Sequence, residues 1–297
     1  MENLISIIIN FHNGEKYLEN SLKSVLKQDY KNFELILWDN ASTDNSKKII
    51  DNFKDKRIKY FQNSIKDNLY KARNKAISQS KGDLIAFLDC DDWWEKDYLS
   101  SREIFFKNKN FDFYYCNTNL YFEKKRKIKL YKNFSLPSGK IYSFLSKDYF
   151  IIISGVIFRK ELFQKFGKFN ENYNIIGDFD FLMKISSICN AHAISLPLIN
   201  YRIHDENFSK LNTEIFYKEY KTWFEENKKI KKNFDFNKNI INYEKRLSFL
   251  EISFLINNSK KNLRVFKKII QHKNFLQKIK FLILFFSPKI LHKFLKK

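Results

Sequence analysis

Residues 83–92 read DLIAFLDCDD. Within them Leu84–Leu88 is an unbroken apolar run. A run this short, bounded by polar residues, suits a strand buried on both faces of a sheet. It leads directly into Asp89, Asp91 and Asp92. Carboxylates this close repel one another and resist ionisation unless a cation accompanies them. Hard oxygen donors suit Mg2+ or Mn2+, and a cation held by few protein groups also takes phosphate oxygens. The pattern therefore points to a metal–diphosphate site. A solvated acidic turn is the plain alternative, because such tripeptides are common.

Upstream of this stretch the chain alternates. Ile5–Phe11 is a β-rich apolar run closed by His12, Asn13 and Gly14. Glu15–Lys27 places Tyr17, Leu18, Leu22, Val25 and Leu26 on one helical face. Phe33–Trp38 is a second buried strand, followed by Asp39 to Asp44, which offer several caps for a helix through about Phe53. Arg57–Gln62 is a strand, Leu69–Ser80 a helix with Gly82 as its terminator, and Asp83–Leu88 a strand. Short connections between strand and helix predict an α/β fold with a mostly parallel sheet. In such sheets ligands bind beyond the carboxyl ends of the strands. Asp39 and the Asp89–Asp92 cluster both fall there.

Beyond residue 100 the pattern is mixed. Phe111–Asn119 is a strand, and Tyr121–Lys132 a hairpin or exposed loop. Ile151–Phe158 is an apolar run. Lys160–Phe166 is a short helix closed by Gly167, and Asp178–Ile188 is helical. Ala191–Leu196 and Leu198–Arg202 are two final strands. After about Asp205 the chain becomes Lys- and Phe-rich with helical periodicity. The expected domains are 1–205, split near residue 100, and a basic helical region over 206–297.

Composition narrows the function. Aromatic residues make up 18% of 297, which argues against disorder. Cys90, Cys116 and Cys189 are too widely spaced for a metal motif, and an odd count does not suit a disulfide framework. The N-terminus has no basic segment or cleavage site, so it is a first strand and not a signal peptide. No apolar stretch approaches the ~18 residues of a membrane-spanning helix. The net charge is +22, yet residues 1–100 carry 16 basic and 16 acidic side chains. Residues 252–297 carry 12 basic and no acidic ones. A field concentrated at one end suits an anionic surface. No G-x-G-x-x-G or G-x-x-x-x-G-K-[ST] follows the first strand, which disfavours dinucleotide and P-loop folds.

Several segments taken together resemble family 2 glycosyltransferases of the GT-A fold, of the bacterial surface-glycan type. They are SIIINFHNGEKYLENSLKSVLKQDYKNFELILWDNASTDNS, KARNKAISQSKGDLIAFLDCDDWWEKDYL, ISGVIFRKELFQKFGKFNENY, GDFDFLMKI and LPLINYRIHDENFS. They cover roughly residues 4–210 in the family's order. The resemblance implies inverting transfer of a sugar from a UDP-sugar to a saccharide or lipid-linked acceptor, assisted by Mn2+ or Mg2+. It implies that Asp39 accepts a hydrogen bond from the base and that backbone near Asn10 and Phe11 flanks it. Arg73 lies near the ribose and diphosphate. Asp89 touches ribose or metal, Asp91 is the principal metal ligand, and His204 closes over the diphosphate or metal. Asp92 supports the metal or faces the acceptor, and Trp93 and Trp94 line a sugar pocket or pack in the core. Asp178 is the base, with Asp180 as second carboxylate. The family usually has Glu before the base, and here that position is Gly177, so either aspartate could serve.

Each residue also has a plain role. Asp39 and Asp178 could cap helices, Arg73 could be a surface residue, and His204 could be structural. Residues 260–297 place apolar side chains at helical spacing among lysines, which suits a helix lying in a membrane interface. Packing on the protein is the alternative. With a lipid-linked acceptor, this predicts a cytoplasmic protein, peripheral on the inner face of the bacterial inner membrane, with no nucleic-acid partner. Rival readings are a sugar-phosphate nucleotidyltransferase, which lacks its Gly-rich phosphate loop here, a basic polymer-binding protein and a catalytically dead scaffold.

Overall fold

The computed structural model describes residues 3–102, 108–230, 234–257 and 263–271, with Phe106, Lys278 and Leu282. Contacts divide the chain into two compact units, residues 1–205 and 206–297.

Among the described residues the first unit is built on a nine-stranded sheet. Strands β1 (Ile5–Phe11), β2 (Phe33–Asp39), β3 (Ile58–Gln62) and β4 (Leu84–Phe87) pair in parallel in the order β3-β2-β1-β4. All seven residues of β1 and of β2 are buried, as continuous apolar runs require when helices cover both faces. Helices α1 (Leu18–Leu26), α2 (Ser46–Asp51) and α3 (Leu69–Gln79) make the crossovers. Leu18, Leu22 and Val25 of α1 pack on Ile7, Ile9 and Leu37 in the main core. Burial of this kind stabilises by roughly 25 cal/mol per Å2 of apolar area.

The sheet continues with β5 (Trp93–Trp94), β6 (Phe113–Phe122), β7 (Lys127–Leu130), β8 (Val156–Arg159) and β9 (Ala191–Ile203). Here β8 runs antiparallel to β4 and β6, β9 runs parallel to β6, and β5 antiparallel to β9. The parallel sheet thus belongs to the first hundred residues, and the second hundred add mixed strands. β6 and β7 form the hairpin expected near Tyr121–Lys132. The two expected final strands are one, because β9 passes through Pro197 with a bulge opposite Cys116–Thr118. A bulge absorbs the ladder bond that proline cannot donate.

Short helices α4 (Tyr142–Lys147) and α5 (Glu161–Lys165) precede α6 (Gly177–Ser186). Gly167 has φ +81°, so it closes α5 as expected. Gly82 has a different role from the one expected. Helix α3 ends at Ser80 without a left-handed residue, and Gly82 lies against β1. A Cβ there would stand 2.6 Å from the Leu4 carbonyl oxygen. A second core of Phe87, Phe158, Phe163, Phe169 and Phe181 fills the side beneath α6, with Phe163 and Phe181 stacked at 4.8 Å.

The second unit is helical, with α7 (Phe208–Leu211), α8 (Thr213–Lys229), α9 (Phe234–Lys238), α10 (Ile240–Asn257) and α11 (Leu263–Gln271). Trp223, Phe236 and Tyr243 form its aromatic centre. In α11, Ile269 is buried and Lys268 pairs with Glu251. Most of the basic stretch 260–297 lies outside the described residues. Among the described residues no helix is long and apolar enough to cross a membrane.

Candidate active site

The loops after β1 and β2 interlock at the carboxyl edge of the sheet. The Gly14 N–H donates to Ser46 Oγ at 2.9 Å, and the Asn13 N–H to Ser42 Oγ at 2.9 Å. In return the Thr43 N–H donates to Asn13 Oδ1 at 2.8 Å. Asn13 and Ala41 both hold positive φ, which lets two tight loops cross. Asp44 serves both this lock and the start of α2, accepting from the Glu15 and Ser46 N–H groups, while the Asn45 side chain makes no cap bond. Asp39 is buried at the end of β2. Its Oδ1 accepts from the Ser42 N–H at 2.7 Å and its Oδ2 from the Tyr60 hydroxyl at 2.7 Å. The Phe11 ring belongs to the main core, while its carbonyl accepts from the Asn40 N–H.

Arg73 projects from the middle of α3 and is only 2% exposed. It is not a surface residue. Its guanidinium pairs with Asp89 and lies over the Tyr70 and Phe87 rings. Burial, partly offset by Arg73, raises the Asp89 carboxyl above its ordinary range, and the Asp91 and Asp178 charges add to it.

The acidic loop is held from two distant segments, the end of β9 and the turn at Ser154. His204 Nε2 and Asp91 Oδ2 stand 2.9 Å apart, with the imidazole packed on the Tyr17 ring at 4.9 Å. Arg202 Nε donates to the Asp91 carbonyl at 2.9 Å, and its guanidinium lies over Tyr17, Trp93 and Tyr121. Ser154 Oγ donates to Asp92 Oδ2 at 2.7 Å, and the Ser154 carbonyl accepts from Trp94 Nε1 at 2.7 Å.

Asp92 is fully buried, and the Arg202 N–H donates to its other oxygen at 2.9 Å. Burial, with the Asp91 and Asp89 charges, pushes its carboxyl well above the ordinary range. So Asp92 braces the loop and does not line open space. Trp94 is 3% exposed and stacks on Tyr98 at 4.1 Å, which makes it core. Trp93 is half-buried, edge-on to Tyr121 at 5.3 Å beneath Arg202.

Asp178 and Asp180 lie in the first turn of α6. Asp178 Oδ1 is 2.7 Å from the Tyr70 hydroxyl. That links it through Tyr70 and Arg73 of α3 to Asp89. Asp180 is half-buried, and its N–H donates to the Ile176 carbonyl.

Asp91 and His204 together offer a carboxylate and an imidazole. Two protein donors fit a divalent cation that takes its remaining oxygens from a diphosphate and water. Among the described residues no group of three His, Cys, Asp or Glu side chains could hold a metal ion. The expected trio of Asp89, Asp91 and His204 is therefore not assembled, because Asp89 faces Arg73.

Tyr70, Ser154 and Arg202 escaped the sequence reading as site residues. Ser154 and Arg202 sit in segments that carry the family resemblance, ISG and YRIH, and only their distant contacts show what they do. Tyr70 had no signal beyond its place one turn before Arg73.

Comparison with known proteins agrees with this fold. The description "Glycosyl transferase family 2" matches residues 6–175. UDP-Glc:alpha-D-GlcNAc-diphosphoundecaprenol beta-1,3-glucosyltransferase WfaP of Escherichia coli is 39% identical over 121 residues, 41% of this chain and 47% of that protein. The chain spans less than half the length of such curated relatives. Staphylococcus aureus TarS 1–349 in complex with UDP-GlcNAc aligns over 97% of this chain and 72% of its own, at 18% identity and TM-score 0.59. The mannosyltransferase PcManGT of Pyrobaculum calidifontis, in complex with GDP-Man and Mn2+, aligns over 96% and 81%, at 14% identity and TM-score 0.61. At these identities the two structures speak for the fold alone. Strand order, an acidic loop at the carboxyl edge and a family match over more than half its length lead to one conclusion: this chain belongs to glycosyl transferase family 2.

Proposed function

We propose that this protein is an inverting glycosyltransferase, moving a sugar from a UDP-sugar to a saccharide or lipid-linked acceptor in bacterial surface-glycan synthesis. One observation carries the reading. The carboxyl edge of a parallel sheet gathers Asp39, Arg73, Asp89, Asp91, Asp178 and His204 from five separate segments. Orphaned polar atoms at the same edge support it. Asn10 on β1 and its register partner Trp38 on β2 keep buried side-chain groups with no protein partner. Such groups are costly unless a ligand or water meets them. The printed name of WfaP, with its UDP-Glc donor and diphosphoundecaprenol acceptor, supports the donor and acceptor classes.

In this reading Asp39 and the backbone near Asn10 and Phe11 hold the base. Arg73 lies toward the diphosphate. Asp91 and His204 would hold the divalent cation, which neutralises charge on the departing diphosphate when bound. Asp178 takes the proton of the acceptor hydroxyl. That oxygen bonds to the anomeric carbon as the bond to the diphosphate oxygen breaks, and the electron pair leaves with the nucleotide. General-base help is worth roughly 10²–10⁴-fold. Asp180 is the second carboxylate of the helix and Trp93 the remaining sugar-facing aromatic. Residues 1–205 form the catalytic domain, and the basic stretch 260–297 brings it to an anionic membrane face in the cytoplasm.

The test is a thermal-shift panel of UDP, GDP, CDP and dTDP, each with and without Mn2+. A ligand at 100 times its Kd stabilises by about 2.7 kcal/mol. The expected result is a shift with UDP and Mn2+ together. No shift with any nucleotide, in a protein that melts cooperatively, would sink the donor site.

A further inference from the structure

Gly177 and Tyr70 occupy complementary space. A Cβ on Gly177 would lie 2.6 Å from Cγ and Cδ2 of the Tyr70 ring and 2.8 Å from Cδ1. A ring clamped within the protein has nowhere to retreat. Tyr70 is 1% exposed and packs on Phe169 at 5.5 Å, with Arg73 over it at 5.5 Å. The absent side chain at 177 is therefore what admits the ring beneath the first turn of α6.

What the ring brings is a hydroxyl at Asp178. Tyr70 Oη lies 2.7 Å from Asp178 Oδ1 and 2.7 Å from the Ile175 carbonyl oxygen. A phenol has one proton and two acceptors compete for it here. An ionised carboxylate is the stronger acceptor, so the hydroxyl faces Asp178 while that group is charged. Once Asp178 has taken the acceptor's proton, the Tyr70 hydrogen can swing to the Ile175 carbonyl. Burial and the Asp178 charge push the Tyr70 phenol well above its ordinary range, so it stays a neutral donor throughout.

We propose that Tyr70 is a positioning residue for Asp178, and that glycine at 177 is the condition for it. The hydroxyl fixes the carboxylate rotamer toward the reacting hydroxyl, and the ring anchors α6 to α3. This rests on Asp178 acting as the base. The Tyr70 hydroxyl reaches Asp178, the aspartate assigned as base.

The full-length protein is assayed for UDP release from UDP-glucose and UDP-GlcNAc with Mn2+, as wild type, Tyr70→Phe and Asp178→Asn. Tyr70→Phe should lower kcat about tenfold, short of the ~100-fold that a full 1 Å misplacement of a reacting group can cost, and should leave donor KM and the UDP–Mn2+ thermal shift as in wild type. Asp178→Asn should lose about a hundredfold or more. Wild-type kcat in Tyr70→Phe beside a dead Asp178→Asn overturns the proposal alone. An active Asp178→Asn overturns the base reading beneath it. Two stability cycles read the same contacts without turnover. The Tm loss of Tyr70→Phe should shrink in an Asp178→Ala background, where the Ile175 carbonyl alone still accepts from the hydroxyl, and that of Gly177→Ala should vanish in a Tyr70→Ala background. Equal losses in both backgrounds would mean that neither contact exists, and the proposal falls.

Discussion

The two edges of the parallel sheet treat buried carboxylates in opposite ways. At the amino edge, Glu34 opens β2. It accepts hydrogen bonds from Ser6 Oγ and the Lys81 N–H and pairs with Lys59. Burial works to raise its carboxyl, but these partners outweigh burial and hold it below the ordinary range. At the carboxyl edge, Asp89 and Asp92 are raised even though Arg73 and Ser154 attend them. The difference lies in the balance of charge. The groups that act on Glu34 are a hydroxyl, an N–H and an ammonium, whereas Asp89 feels the charges of Asp91 and Asp178, and Asp92 those of Asp91 and Asp89. Crowded like charges cost folding energy, and sites poised for an incoming cation or proton are where that cost is found. One edge holds the sheet together, and the other, under the proposed function, receives the donor.

The contrast can be broken most forcefully at Asp91. Asp91→Asn should abolish turnover and the Mn2+-dependent UDP shift, while the ligand-free Tm stays equal to wild type or rises as repulsion is relieved. A ligand-free Tm several degrees lower would mean that Asp91 belongs to the frame and not to the ligand. Next comes Gly82→Ala at the amino edge. Its Cβ would meet the Leu4 carbonyl at 2.6 Å and the Ser6 nitrogen at 2.7 Å, and backbone cannot step aside. Overpacking of this kind costs ~1–3 kcal/mol. Chemical denaturation should show that loss with the nucleotide shift intact, and a lost shift would join the two edges.

The smallest effect concerns Glu34→Gln. The folded carboxyl of Glu34 lies below its unfolded value of about 4.3, so its stabilisation is fully present above that pH. It disappears as pH falls through the lowered native value. Wild type should exceed Glu34→Gln by about 1 kcal/mol at pH 7, with the gap closing in acid. A gap that is constant from pH 7 to acid would show that hydrogen bonding, not charge, holds this corner.

Strands β1, β2 and β4, helices α1 and α3 and the acidic loop were legible, because their signals are local. Apolar runs, period-3.6 faces and a D-x-D at a strand end all lie within about ten residues. The Asp92, Trp94 and Gly82 roles were not legible. Whether an aspartate faces a ligand or a serine, and whether a glycine closes a helix or admits a strand, depends on what lies opposite. The neighbour of Gly82 is β1, which a scan along the chain does not place there.

The sequence alone therefore determined the alternation of strands and helices, the placing of Asp39 and the acidic loop at the carboxyl edge, and the membership of a family by motifs in order. Tertiary structure decided which carboxylates are crowded and which are braced. Ser154 reaches Asp92 across 62 residues, Tyr70 reaches Asp178 across 108, and Arg202 reaches Asp91 across 111. Hydrogen bonding and desolvation act at a few ångströms in space, so partners this remote along the chain acquire their meaning only when the sheet has brought them together.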